Sequence, residues 1–253
     1  MSQKKDTHEM VKKAYGTVAK KQKSCCGASS ISCSCGPKNA ETTYGELGLS
    51  CGDPVTFSHM KPGQVVLDLG SGAGKDVFLA AKIVGKSGRV IGVDMTGEML
   101  ALARKNAEEF KRDTGLDNTE FREGQIEELP VDDASVDIVI SNCVINLSPD
   151  KPAVFQEVYR VLKPSGKMVV SDIVLNRHLP EAAKNDENLY VACIAGALLR
   201  EDYLKAIRDA GFTSVKILSD ILYGDRQGSD PVTSKVGKEL SAAASSITVL
   251  AEK

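Results

Sequence analysis

Residues 65–75 read VVLDLGSGAGK, an apolar run broken only by Asp68 and ending in three glycines at alternate positions. Few folds accept such a stretch. A near-continuous apolar run of this length suits a parallel strand buried on both faces. Alternating glycines supply positive φ and let the backbone approach a neighbour closely. The residues that follow, 75–84, carry apolar side chains at helical spacing. Strand, glycine turn and helix together form the opening unit of a doubly wound sheet, in which ligands bind outside the carboxyl ends of the strands.

The rest of the chain repeats that alternation. RVIGVDM (89–95) reads as a second strand, and Thr96 stands where it can cap a helix carrying Met99, Leu102, Ala103, Ala107 and Phe110 at helical spacing. TEFREGQI (119–126) is a more polar third strand, suited to an edge, and VDIVISN (136–142) a fourth. A helix over 150–162 leads through the turn KPSG (163–166) into a fifth strand, KMVVSDIVL. EDYLKAIRDAG is a helix closed by glycine, SVKILSDI a sixth strand and SITVLAE a seventh. The expected fold class is α/β, with a doubly wound, mostly parallel seven-stranded sheet; the final hairpin-like pair places an antiparallel strand at the edge. Ahead of it, residues 7–23 read as an amphipathic helix and SCCGASSISCSCGPKN as a flexible loop. The expected division is an N-terminal helix and Cys-rich segment over 1–50, then one domain over 51–253.

At 253 residues and a net charge of −2, with no Lys/Arg cluster, the chain gives no electrostatic reason to expect nucleic acid or a membrane surface. No apolar run of membrane-spanning length and no apolar signal core occur, so the expected location is the cytoplasm.

A glycine-rich turn followed by an acidic residue at the end of the next strand, Asp94, also describes dinucleotide sites. The spacing differs here, because Lys75 stands where G-x-G-x-x-G requires its third glycine. Asp68, just before the turn, suits the cationic amino-acid end of a ligand and repels a pyrophosphate. Both points favour a nucleoside ligand without a pyrophosphate.

VLDLGSGAGKDVFLA, then RVIGVDMTGEML, then EGQIEELPVDDASVDIVISNCVINLSPDK resemble the class I S-adenosylmethionine-dependent methyltransferases, over about residues 60–175. The resemblance implies that Asp68, Gly70, Gly72 and Gly74 contact the methionine end of S-adenosylmethionine and that Asp94 binds its ribose. It also implies Met95 beside the adenine, Ile126 and Glu127 at the adenine rim, and Asn142 near the methionine portion. Gln125 stands where many relatives carry an acidic residue at the adenine edge.

Fold alone does not name a methyl acceptor; the seven cysteines narrow it. Cys25, Cys26, Cys33 and Cys35 crowd together, Cys51 follows in GLSCGDP, and Cys143 and Cys193 stand apart. In a reducing compartment this usage points to metal, metalloid or redox chemistry more than to a disulfide framework. Cys143 leaves the fourth strand where a transferred methyl would face, and Cys193 lies on an apolar helical segment, LYVACIAGALL, in the region that commonly builds a substrate cap. Each alone also reads as a small core residue. Together they suggest soft ligands for a thiophilic ion.

The Cys-rich N-terminal segment, GLSCGDP, SNCVINLSPDK and ACIAGAL jointly resemble the arsenite methyltransferases. That resemblance implies catalysis by thiolates that bind trivalent arsenic: Cys143 and Cys193, with Cys51 as the third. It makes Cys25, Cys26, Cys33 and Cys35 candidates for a redox relay, with a thioredoxin-like reductant as partner and arsenite or its thiol conjugates as substrate. Substrate-cap insertions are expected near 176–200 and 222–244. Many family members carry a further C-terminal domain. Arsenic bound by thiolates keeps its lone pair, so no general base is required, and none of His8, His59 and His178 lies in these motifs. Two rival readings are a methyltransferase of a small carbon acceptor such as a quinone, and a cysteine-based metal or metalloid sensor. C-C-x6-C-x-C is not a usual zinc pairing.

Overall fold

The computed structural model describes residues 2–22, 44–47, 52–184, 186–222 and 243–253. Cys25, Cys26, Cys33, Cys35 and Cys51, the loop expected over 24–39 and most of the expected 222–244 insertion lie outside the described residues. Helices are α1 (Ser2–Gln22), α2 (Pro54–Ser58), α3 (Lys75–Val84), α4 (Gly97–Thr114), α5 (Lys151–Val161), α6 (Glu181–Lys184), α7 (Glu187–Val191) and α8 (Arg200–Asp209). Strands are β1 (Val65–Leu69), β2 (Arg89–Asp94), β3 (Thr119–Glu123), β4 (Val136–Asn142), β5 (Leu162–Leu175), β6 (Ser214–Leu222) and β7 (Ala244–Glu252). They form one sheet in the order β3-β2-β1-β4-β5-β7-β6.

The order reverses between β1 and β4, so the glycine turn after β1 and the end of β4 flank the same crevice. Strand residues alternate between two cores. Leu67, Leu69 and Val139 face a layer built by Phe155 and Val158 of α5 and Tyr203 and Ile207 of α8. Val66, Ile138 and Ile140 face Phe78 and Ala81 of α3 and Leu100 and Phe110 of α4. Phe78 and Phe110 pack with centroids 5.1 Å apart, and Tyr44 meets Phe110 edge-on at 5.4 Å. A third cluster joins Val11 of α1 to Ile173, Leu175, Ile194 and Ala197, seating the 187–199 segment over one end of the sheet.

Three expectations change. β7 is antiparallel to both neighbours but sits inside the sheet, leaving β6 as the edge strand. Its burial explains this: β7 is buried along most of its length, whereas β6 exposes Ile217, Leu218, Ile221 and Leu222. Residues 163–166 are a bulge and not a free turn, because Val136 pairs with Leu162 and Ile138 next with Lys167. Thr96 holds the position before α4, but its side chain makes no cap bond to the helix. Its backbone N–H donates instead to Asp94 at 2.8 Å, and its side chain also bonds that carboxylate.

Candidate functional site

The turn after β1 is held open by glycines with different tasks. Gly70, Gly72 and Gly74 all have positive φ. A Cβ on Gly70 would sit 2.3 Å from Val144, and one on Gly74 2.6 Å from Phe78, so both positions are closed by packing. Gly72 faces open space, and its bare backbone borders the crevice. Asn106 of α4 donates to the Ala73 carbonyl at 3.0 Å and fixes the turn from behind.

Carboxylates surround this backbone. Asp68 lies buried at the end of β1, and burial, reinforced by Asp76 and Asp94, pushes its carboxyl well above the usual range. Asp76, in the first turn of α3, is raised mainly by burial, although Asn142 donates to it at 3.0 Å and lowers it in part. Asp94 is also raised by burial and partly offset by N–H groups of Thr96 and Gly72, the latter at 2.9 Å. Three crowded carboxylates with raised pKa values make a site that favours a cation.

The far side of the crevice is closed by α1. His8, Val11 and Tyr15 line it together with Met95, Ile126 and Glu127. His8 Nε2 lies 3.0 Å from Glu127 Oε1, and the Ser148 hydroxyl donates to the same oxygen. The Tyr15 hydroxyl donates to the Val191 carbonyl at 3.3 Å, linking α1 to the segment that carries Cys193.

Cys143 and Cys193 line the same crevice. The Cys193 thiol donates to the Cys143 carbonyl at 2.9 Å. Both cysteines have positive φ, 58° and 62°, a conformation that costs a non-glycine residue about 1–2 kcal/mol. Cys193 is buried, and Cys143 is disulfide-bonded. The expected helix around Cys193 ends at Val191, so the cysteine sits in the turn beyond it. Among the described residues, no group of three His, Cys, Asp or Glu is placed to hold a metal ion.

The crevice thus gathers Asp68, Gly70, Gly72, Asp94, Met95, Ile126, Glu127, Asn142, Cys143 and Cys193 from the sequence-predicted set. Gly74 does not line it: its open side is filled by Phe78 and Phe121, a packing role. Cys51 and the four-cysteine cluster are outside the described residues. Sequence reasoning missed Asp76, His8, Tyr15 and the 45–47 segment. At Gly45 the structure shows why glycine is needed: φ is 70° and a Cβ would lie 2.5 Å from the Ala73 carbonyl, so only glycine lets this segment approach the turn. His8 and Tyr15 gave no signal, because a remote helix's docking site is a tertiary fact.

Comparison with known proteins agrees with this geometry. The family described as "Methyltransferase domain" matches residues 60–211. An arsenite methyltransferase of Halobacterium salinarum is 42% identical over 84% of this chain and 59% of its own length. One from Mus musculus is 40% identical over 61% of this chain and 42% of its own. The crystal structure of CrArsM, an arsenic(III) S-adenosylmethionine methyltransferase from Chlamydomonas reinhardtii, superposes with a TM-score of 0.63 at 39% identity, covering 76% of this chain and 63% of that one. The chain spans about three fifths or less of the length of these two curated relatives. With its sheet order, its glycine turn and a family match over residues 60–211, the chain belongs to the methyltransferase-domain family.

Proposed function

We propose that this chain moves a methyl group from S-adenosylmethionine to trivalent arsenic held by the thiols of Cys143 and Cys193. The observation that carries the reading is the cysteine pair itself: Cys193 Sγ contacts the Cys143 carbonyl at 2.9 Å, at the rim of a crevice otherwise furnished for a cation. The similarity to proteins named arsenite methyltransferases supports it.

The crevice fits S-adenosylmethionine on its own chemistry. Asp68, buried, and Asp76, half-buried, are carboxylates raised chiefly by desolvation and further by neighbouring carboxylates, a condition that a bound ammonium and sulfonium would relieve. Gly72 offers open backbone against which the ligand would lie. Asp94 has acceptor capacity beyond its two backbone donors, as ribose hydroxyls require. Met95 and Ile126 supply apolar surface for the adenine, with Glu127 at its edge. When bound, S-adenosylmethionine supplies a methyl group made electrophilic by its cationic sulfur.

The residues of this chain then do the rest. Asn142, fixed by the Gly52 carbonyl at 3.1 Å and by Asp76, lines the crevice together with Cys143. Cys143 and Cys193 hold arsenic as thiolates, with Cys51 as a third ligand, and arsenic bound in this way keeps the lone pair that makes it the nucleophile. Alignment is therefore the main contribution of the protein, and no general base is needed. The disulfide at Cys143 must first be reduced: a dithiol reductant of the thioredoxin type gives up two electrons and two protons and becomes a disulfide, freeing two thiols. Cys25, Cys26, Cys33 and Cys35 would relay those electrons in the cytoplasm.

The test is anaerobic incubation of the reduced protein with S-adenosylmethionine and arsenite, following S-adenosylhomocysteine release. Arsenite-dependent release supports the proposal. Release that depends on a quinone analogue and ignores arsenite supports the rival acceptor. Arsenite uptake by the thiols without release of product supports a sensor.

A further inference from the structure

Behind the two cysteines lies a buried polar network that the proposed chemistry does not use. Asn146, Lys151, Asp172 and Tyr203 are each less than 9% exposed. Asp172 Oδ1 accepts from Asn146 at 2.9 Å and from the Ile173 N–H at 3.0 Å, and its other oxygen accepts from the Tyr203 hydroxyl at 3.3 Å. Asn146 also donates to the Ile173 carbonyl at 2.6 Å. The Lys151 ammonium donates to the carbonyls of Asn146 and Ser148, at 3.3 and 2.9 Å, closing the 3-10 turn Ile145–Leu147. That turn begins two residues after Cys143.

The same turn supports the segment bearing Cys193. Tyr190 donates to the Leu147 carbonyl at 3.1 Å. A Cβ on Gly196 would lie 2.2 Å from the Asn146 carbonyl, so the two segments touch backbone to backbone. Two adjacent cysteines in unfavourable left-handed conformations persist only where their surroundings over-determine them, and such strain concentrates at functional sites. Burying a lysine and an aspartate beside an asparagine carries a desolvation cost that an apolar core would avoid.

Resting on the proposed arsenite chemistry, we propose that Lys151 and Asp172, acting through Asn146 and Tyr203, are positioning residues that hold the Cys143/Cys193 pair in the geometry that captures trivalent arsenic. They touch neither ligand and act by fixing the turn between the two thiols.

The test uses the full chain, reduced, and titrates it separately with arsenite and with S-adenosylmethionine. In Lys151→Met, which keeps the aliphatic bulk and deletes the ammonium, arsenite affinity falls about tenfold or more, the range typical of lost supporting contacts behind a ligand. Affinity for S-adenosylmethionine stays at the wild-type level. Tyr203→Phe removes only a hydroxyl and lowers arsenite affinity by about tenfold, the low end of that range, so it decides the matter where Lys151→Met fails to fold. Wild-type arsenite affinity in a folded variant overturns the inference, as does parallel loss of both affinities. Wild-type protein that binds no arsenite overturns the proposed function, and this inference with it, a result distinct from any difference between variants.

Discussion

Gly70 and Gly72 stand two residues apart, share positive φ, and carry opposite liabilities. Alanine at Gly70 meets Val144 at 2.3 Å in a backbone conformation alanine avoids, so Gly70→Ala should lose about 1–3 kcal/mol of stability, read by urea unfolding. Alanine at Gly72 meets nothing within 4 Å and points into the crevice. Gly72→Ala should therefore fold with only the φ penalty, about 1 kcal/mol, while binding S-adenosylmethionine at least about tenfold more weakly by calorimetry. Equal damage at both positions would contradict the division between packing and binding. Asp94→Ala should weaken the same ligand while leaving arsenite able to protect Cys193 from alkylation, because the proposed function gives that carboxylate the ribose and not arsenic.

Elements were legible in proportion to how local their determinants are. β4 and α3 form over the residues their patterns mark, since an apolar run and a 3.6-residue period are local signals. The place of β7 was not legible: hairpin-like succession suggests an edge, but β7 buries both faces between β5 and β6. LYVACIAGALL, apolar throughout, predicts a helix through Cys193, yet α7 ends at Val191 and the chain turns so that the thiol reaches the Cys143 carbonyl. The docking of α1 over the crevice rests on His8–Glu127 and Tyr15–Val191, contacts 119 and 176 residues apart in sequence. His8→Ala should speed backbone amide exchange in α1 while costing no more than about 1 kcal/mol globally, since a single partly exposed pair contributes little. Unchanged exchange in α1 would show that the pair does not hold the helix down.

Across the whole molecule, four carboxylates share one direction of shift. Asp68, Asp76, Asp94 and Asp172 are all raised, chiefly by burial, Asp172 up to about 7. Between the unfolded carboxylate pKa, about 4, and the raised values, the folded protein holds more protons than the unfolded chain. Stability therefore falls as pH rises through that window, by at most about 1.4 kcal/mol per pH unit per group. The ligand-free protein should melt higher near about pH 5 than near about pH 7.5, and Asp172→Asn should flatten the difference. A melting temperature that climbs with pH over that range would contradict the assignment. Glu157, lowered by Arg160, works the other way, but that pair is partly exposed and weaker. The most direct measurement is mass spectrometry of arsenic species after the reduced protein is incubated with arsenite and S-adenosylmethionine carrying a deuterated methyl group. The wild-type protein should yield labelled methylarsenic and Cys143→Ser none, with cofactor binding intact; labelled product from Cys143→Ser at the wild-type rate, or none from the wild type, would contradict the account.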